Sequence, residues 1–398
     1  MNNEKFKKIY LKLCAVSVFR FALTRPPVAD FMDYCTANSD EEKLKIYAKF
    51  VSEIYDNGGN LTDFMKKVLG EDENAFVKAL ARGIKPSKCI SESANADLDA
   101  FSEFSALAPI DFIYDLKGLG NVRLPNFYSN DEDLAQYYYE RIKNIERYGY
   151  GKFASHAMFR LNDEKEIKPI SSADKITMDK FIGYDSERAQ VIENTKAFVS
   201  GGPALNTLLY GDAGTGKSST VKAVANAFFD QGVRLIELRK DQLCYLPFVM
   251  GKVAQNPLKF IIFIDDLSFS RSDDNFSMLK AALEGSASAK ADNAVIYATS
   301  NRRHIIKESF SDRDGDDVHR NDTLQETLSL AERFGLTVFF SKPNKELYLT
   351  IVKQLAKKWG VAMDEKELEI KAEAFALRRG NRSARCAEQF VELLAHKN

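Results

Sequence analysis

The stretch Gly211-Asp212-Ala213-Gly214-Thr215-Gly216-Lys217-Ser218 constrains this chain more than any other. It follows an apolar run, Asn206–Tyr210, that reads as a strand, and it leads into Ser218–Phe229, which reads as a helix. Glycines at such a turn let the backbone curl with its N–H groups pointing inward, and the helix N-terminus adds partial positive charge at the same point. A strand, a glycine loop of this spacing and a helix, in that order, make a cradle for phosphate groups. Lys217 is placed to reach the outer phosphates and Ser218 to ligate Mg²⁺. The bland alternative is a glycine-rich turn that binds nothing, and it would not require the strand and helix on either side.

A second signal pairs with the first. Phe260–Ile264 is an apolar strand that ends in Asp265-Asp266. Ligands of open α/β sheets bind at the carboxyl ends of the strands, so these acids belong at the same edge as the loop. Asp265 is expected to hold Mg²⁺, usually through its water, and Asp266 to position or deprotonate the attacking water. Alone, such acids more often just begin a loop. The glycine loop upstream is what lifts them to candidates.

Around these two signals, short apolar runs alternate with helical sequence. The runs are Asn206–Tyr210, Val233–Leu238, Phe260–Ile264, Ala294–Ala298 and Leu336–Phe340. That alternation predicts a parallel five-stranded sheet between helices. After Pro343 only helical patterns remain, which predicts a small C-terminal helical lid. Three domains are expected: 1–165, mainly helical; 166–341, the α/β core; and 342–398, the lid.

Within the first of these, Ser39-Asp40-Glu41-Glu42 is expected to cap a helix carrying Leu44, Tyr47, Ala48, Val51 and Tyr55. A second stripe runs Leu61, Phe64, Met65, Val68, Leu69. Residues 109–130 hold Pro109, Gly118, Gly120 and Pro125 and read as irregular. A helix is expected over Asp131–Tyr148, with Leu134, Tyr138, Ile142 and Ile145 on one face. These stripes read as buried helical faces rather than as sites.

Composition excludes several classes. The five cysteines are scattered, with no metal-ligand spacing, so neither a disulfide framework nor a zinc site is expected. No apolar run approaches the ~20 residues of a membrane span. The basic N-terminal stretch is broken by Lys12 and Arg20 and reads as an amphipathic helix, not a leader. A cytoplasmic protein without membrane insertion is the expectation. A net charge of −1 gives no global pull toward nucleic acid.

The sequence resembles the AAA+ superfamily of P-loop ATPases, and four further matches carry the resemblance. Phe181-Ile182-Gly183-Tyr184 looks like the segment that packs on adenine. Val295–Asn301 is similar to the sensor-1 strand, with Asn301 near the γ-phosphate. Ser329–Gly335 resembles the arginine-finger segment, with Arg333 as the finger. Gly380–Arg385 resembles sensor 2, with Arg382 as its arginine and Arg385 one helical turn on. The resemblance covers about 170–398. It implies ATP or ADP held by Ile182, Gly183, Tyr184, the loop Gly211, Asp212, Ala213, Gly214, Thr215, Gly216 and Lys217, then Ser218, Ser219 and Arg382. It implies Mg²⁺ at Ser218 and Asp265, and catalysis by Asp266, Asn301, Arg333 and Arg382. It also implies a homo-oligomer formed through the ATP site.

The stretches GYDSERAQVIENTKAF, LLYGDAGTGKSSTVKA, IDDLSF, YATSNRRH and ERFG are similar to a narrower bacterial group, the domain-of-unknown-function 815 family. That likeness reaches upstream to Gly149-Tyr150-Gly151 and Ala157–Arg160, and it names no substrate. Where many AAA+ motors have Asp-Glu, this chain has Asp265-Asp266, similar to bacterial replication initiators. An acid one methylene shorter places a water less well, which predicts slow turnover unless the backbone shifts to compensate.

Other features weigh less. Residues 308–322 hold six acids and His319 without the order of a calcium loop, so a solvated loop is favoured. Arg302, Arg303 and His304 either touch a partner or support Asn301. Residues 342–398 carry twelve Lys/Arg against eight Asp/Glu, too small an excess to argue DNA binding. Tyr137-Tyr138-Tyr139 reads as core and rim. Two functions stay open: an ATP-driven remodeller or loader of an unidentified protein client, and a nucleotide-dependent, DNA-associated switch with slow turnover.

Overall fold

The computed structural model describes residues 4–116, 122–170, 176–267, 274–283, 291–301 and 333–396. Two compact units emerge, Met1–Ser155 and His156–Asn398.

The first unit is helical, as its periodicity predicts, with helices that include Asp40–Asp56, Leu61–Glu71, Lys88–Ser105 and Leu134–Lys143. Ser39 caps Asp40–Asp56 by accepting the Glu42 N–H at 3.2 Å. Its buried stripe is Tyr47, Phe50, Val51 and Ile54, whereas Ala48 and Tyr55, expected inside, are exposed. Phe50 and Ile54, more apolar than Ala48 and Tyr55, turn that face inward, and Tyr55 donates its hydroxyl to Asn126 O. All five apolar positions expected on Leu61–Glu71 are buried. The expected irregularity of 109–130 is corrected at its start, where Pro109–Asp115 is a helix. Proline suits the first turn of a helix, Asp111 accepts the Ala108 N–H at 2.9 Å, and Phe112 is buried against Phe6, Tyr34, Tyr47 and Phe50. The helix expected over Asp131–Tyr148 instead starts at Leu134, capped by Asp133, and breaks at Asn144.

The second unit holds a sheet of seven strands rather than five. They are β1 (Met158–Leu161), β2 (Ile167–Pro169), β3 (Thr207–Gly211), β4 (Val233–Leu238), β5 (Lys259–Ile264), β6 (Ala294–Ser300) and β7 (Leu336–Phe340). The order is β2-β1-β4-β5-β6-β3-β7, all parallel except the β1–β2 hairpin. The five expected strands are all present. β1 and β2 extend the sheet through Met158 beside Leu235, so residues 156–165 belong with the α/β unit.

The order decides where chemistry gathers. The chain leaves β3 for β4, returns through β5 to β6 beside β3, and then crosses to β7 on the other side. β3 is therefore a switch point, and the carboxyl ends of β5, β6 and β3 lie side by side. Three helices follow: Lys345–Lys358, Glu365–Arg379 and Ala384–Ala395. Asn344, Asp364 and Ser383 cap them, and Tyr348, Val352, Ala372 and Phe390 fill the core between them. Among the described residues, no helix is long and apolar enough to cross a membrane.

Candidate nucleotide-binding site

The glycine loop has the shape its sequence predicts. Gly211, Gly214 and Gly216 have φ values of 132°, 76° and 90°, a region that side chains other than glycine rarely adopt. The helix it opens, Lys217–Ala227, has no side-chain cap at its N-terminus, so its first N–H groups are not taken by a side chain. Lys217 is 5% exposed, and its Nζ donates to Gly211 O, Asp212 O and Asn301 Oδ1 at 3.0, 2.7 and 3.0 Å. Burial pulls its pKa below the ordinary lysine value, and Asp212, Asp266 and Asp265 oppose that pull.

From Lys217 a hydrogen-bonded network crosses all three strand ends. Asn301, just past β6, donates to Asp266 Oδ1 at 2.8 Å. Ser218 Oγ donates to Asp265 Oδ1 at 2.6 Å, and Thr299 Oγ1 donates to the same oxygen at 2.5 Å. Thr299 Oγ1 in turn accepts the Asp266 N–H at 3.0 Å. Asp266 has φ of 51°, a left-handed conformation uncommon for a non-glycine residue and typical of functional sites.

A cavity of about 260 Å³ adjoins the loop. Ile182, Tyr184, Gly214, Thr215, Gly216 and Ser219, all singled out from the sequence, line it. Tyr184 donates its hydroxyl to Ser341 O at 2.6 Å, and burial pushes its pKa up to about 12. Gly183 has another role: a Cβ there would meet Leu347 Cδ1 at 2.5 Å, so glycine lets this segment pack against the lid.

Arg382 does not line the cavity; it pairs with Glu373 through bonds of 3.0 and 2.8 Å. Arg385, one turn on, does line it, and its N–H donates to Gly214 O at 3.2 Å. Arg333 is not brought to its own loop. It precedes Leu336, which pairs with Thr207, whereas the loop begins at Gly211 opposite Phe340. Arg302, Arg303, His304 and the acidic segment 308–322 lie outside the described residues.

The residues fit a nucleotide with Mg²⁺. A hydroxyl and a carboxylate, Ser218 and Asp265, sit together as hard oxygen donors beside a cationic loop. Among the described residues no cluster of three or more His, Cys, Asp or Glu is placed to hold a metal. Mg²⁺ is commonly held by one or two protein oxygens together with substrate phosphates.

Two residues were within the segments singled out from the sequence but given no site role there. Thr299 lies two positions before Asn301 on a strand, hence on the same face, and that period is the signal that points to it. Arg385 needed the three-dimensional position of its helix.

Fold and site together define a P-loop protein of the AAA+ type. The model of the family described as "Protein of unknown function (DUF815)" matches residues 153–398, and the chain belongs to that family. A search of curated proteins returned no match. Among solved structures, the Thermotoga maritima RuvB Holliday junction branch migration motor aligns at a TM-score of 0.38 with 14% identity, covering 55% of this chain and 64% of that one. A point variant of the same protein aligns at 0.39 with 16% identity over the same shares. The aligned region thus spans less than two thirds of the RuvB chains.

Proposed function

We propose that this protein binds ATP with Mg²⁺ and hydrolyses it, as an oligomer, to drive or gate the remodelling or loading of a partner. The network joining Ser218, Asp265, Thr299, Asp266, Asn301 and Lys217 carries the reading. It brings a phosphate-binding cation, a metal-binding hydroxyl–carboxylate pair and a second carboxylate to one sheet edge. Lys217 exchanges its backbone carbonyl partners for phosphate oxygens. Asp266, steadied by Asn301, orients the attacking water. Mg²⁺, when bound at Ser218 and Asp265, neutralises phosphate charge.

The second reading, a DNA-associated switch with slow turnover, draws on Asp266 itself. Its carboxylate is one methylene shorter than glutamate's and is already bonded to Asn301.

Nucleotide titration and turnover, each with and without DNA, test both readings. Lys217→Ala is expected to lose ATP affinity by tenfold or more, since charge-assisted bonds contribute ~1.5–3 kcal/mol each. Asp266→Asn is expected to keep affinity and lose most turnover. Unchanged affinity in Lys217→Ala would sink the nucleotide reading. Turnover that DNA stimulates favours the switch; steady DNA-independent turnover favours the remodeller.

A further inference from the structure

The cavity beside the glycine loop has a wall that neither the phosphate chemistry nor the acids explain. Arg188 lies on the helix Asp185–Val199, just after the Ile182–Tyr184 segment, and lines the cavity while only 5% exposed. Its guanidinium carbon sits 5.0 Å over the Phe181 ring. A Cβ built on Gly216 would lie 3.9 Å from Phe181 Cε1, so the Phe181–Arg188 pair borders the phosphate loop. Ile182, Ile351 and Leu355 give the same cavity an apolar side, and Glu388 lines it as well.

A guanidinium has five N–H donors. Among the described residues its side-chain bond runs from Nη2 to Asp185 Oδ1 at 3.1 Å, and the Asp185 side chain is 91% exposed. Burial pulls the Arg188 pKa down, with Asp185 opposing that pull. The fold thus retains a desolvated cation whose remaining donors border a cavity. In such a half-desolvated place a charge-assisted bond to an acceptor brought by a ligand is worth more than on the surface. An arginine carries no acceptor, so it selects ligand edges that accept. A nucleotide with its phosphates on the glycine loop brings its base into this cavity, and the acceptors of a purine ring are its nitrogens.

We propose that Arg188 reads the base, donating a hydrogen bond to a ring nitrogen of the purine while Phe181 holds its plane. This rests on the nucleotide reading above and adds the residue that senses base identity.

The test is calorimetric titration of the full-length protein, with Mg²⁺, using ATP, 1-deaza-ATP, 3-deaza-ATP, 7-deaza-ATP and ribose 5′-triphosphate. Each deaza analogue removes one ring acceptor. One of them is expected to bind wild type about tenfold or more weakly than ATP, the scale of one charge-assisted bond. In Arg188→Met, which keeps an apolar stem over Phe181, that gap is expected to close, while ribose triphosphate binds both proteins alike. If ATP binds wild type and every deaza analogue matches it, Arg188 does not read the base. Base reading is equally excluded if Arg188→Met weakens ATP and ribose triphosphate by the same factor, as a purely structural role requires. Should Arg188→Met fail to fold, Arg188→Lys, which keeps the charge but not the planar fork of donors, takes its place and is expected to narrow the same gap. A wild type that binds no nucleotide overturns the nucleotide reading itself, a different result from ATP binding with indifferent analogues.

Discussion

Thr299 donates to the Asp265 carboxylate and accepts from the Asp266 backbone N–H, so one buried hydroxyl ties the two acidic residues together. Thr299→Val keeps the shape and removes both bonds. Turnover is expected to fall roughly tenfold to hundredfold, the cost of misplacing a reacting group by about an ångström. ATP affinity should change little, and equal losses in both would mean that the hydroxyl only supports the fold. Asp72, in the helical unit, offers a pH test. Its carboxyl is 2% exposed, Oδ2 has no hydrogen-bond partner, and burial pushes its pKa up to about 6. The folded carboxyl therefore holds its proton more tightly than the unfolded one. Its contribution to stability is full below about pH 4, declines as pH rises toward 6, and above that becomes a cost of at most about 3 kcal/mol. Asp72→Asn should raise the melting temperature at neutral pH and leave it nearly unchanged at acid pH; a shift of equal size at both would remove the titration as its cause. The glycines, Lys217, Ser218 and the two acids were readable in sequence because backbone shape and charge dictate them locally. Arg385 was not, since it and Arg382 differ only in where one helix turn points each side chain.

Elements were legible in proportion to the length of their pattern. Five strands stood out because each is a largely apolar run, four of them mostly buried and the edge strand β7 alternating, with Val338 and Phe340 inside. β1 and β2 did not, being four and three residues long, with Arg160 and Lys168 facing solvent. Pro109 read as a breaker, although proline favours the first turn of a helix. Two glycines separate the roles of strand and loop. A Cβ on Gly211 would collide with Phe340 O, within the β3–β7 pairing. One on Gly214 would meet Ser383 Oγ at 3.0 Å, where the cap of the last helix touches the loop. Gly211→Ala must spread two paired strands and is expected to destabilise the α/β unit by several kcal/mol, beyond the ~1–2 kcal/mol that a left-handed alanine alone costs. Gly214→Ala presses on a side chain at the cavity and should chiefly weaken nucleotide binding. Thermal melts beside nucleotide titrations separate the two, and a Gly211→Ala protein as stable as wild type would refute the packing argument.

At the scale of the whole molecule, the sheet sets Arg333 apart from its own loop. Leu336 pairs with Thr207 and Phe340 with Gly211. At ~3.3 Å per residue, the strand alone puts about 13 Å between Leu336 and Phe340, and Arg333 lies three residues further back. If Arg333 is an arginine finger, it therefore serves the loop of another copy. A guanidinium there neutralises charge on the transferred phosphoryl group, an effect worth ~10³–10⁵ in rate in other NTPases. The competing role is structural, with Arg333 merely holding the chain at the entry to β7. Mixing two inactive proteins decides. Lys217→Ala lacks the loop cation and Arg333→Ala lacks the finger, so each alone should be nearly inactive. Together they form some interfaces that join an intact loop to an intact finger, and activity should return and rise with protein concentration. If Arg333→Ala alone keeps full activity, or monomeric wild type hydrolyses ATP at the full rate, the site is complete within one chain and Arg333 only supports the strand.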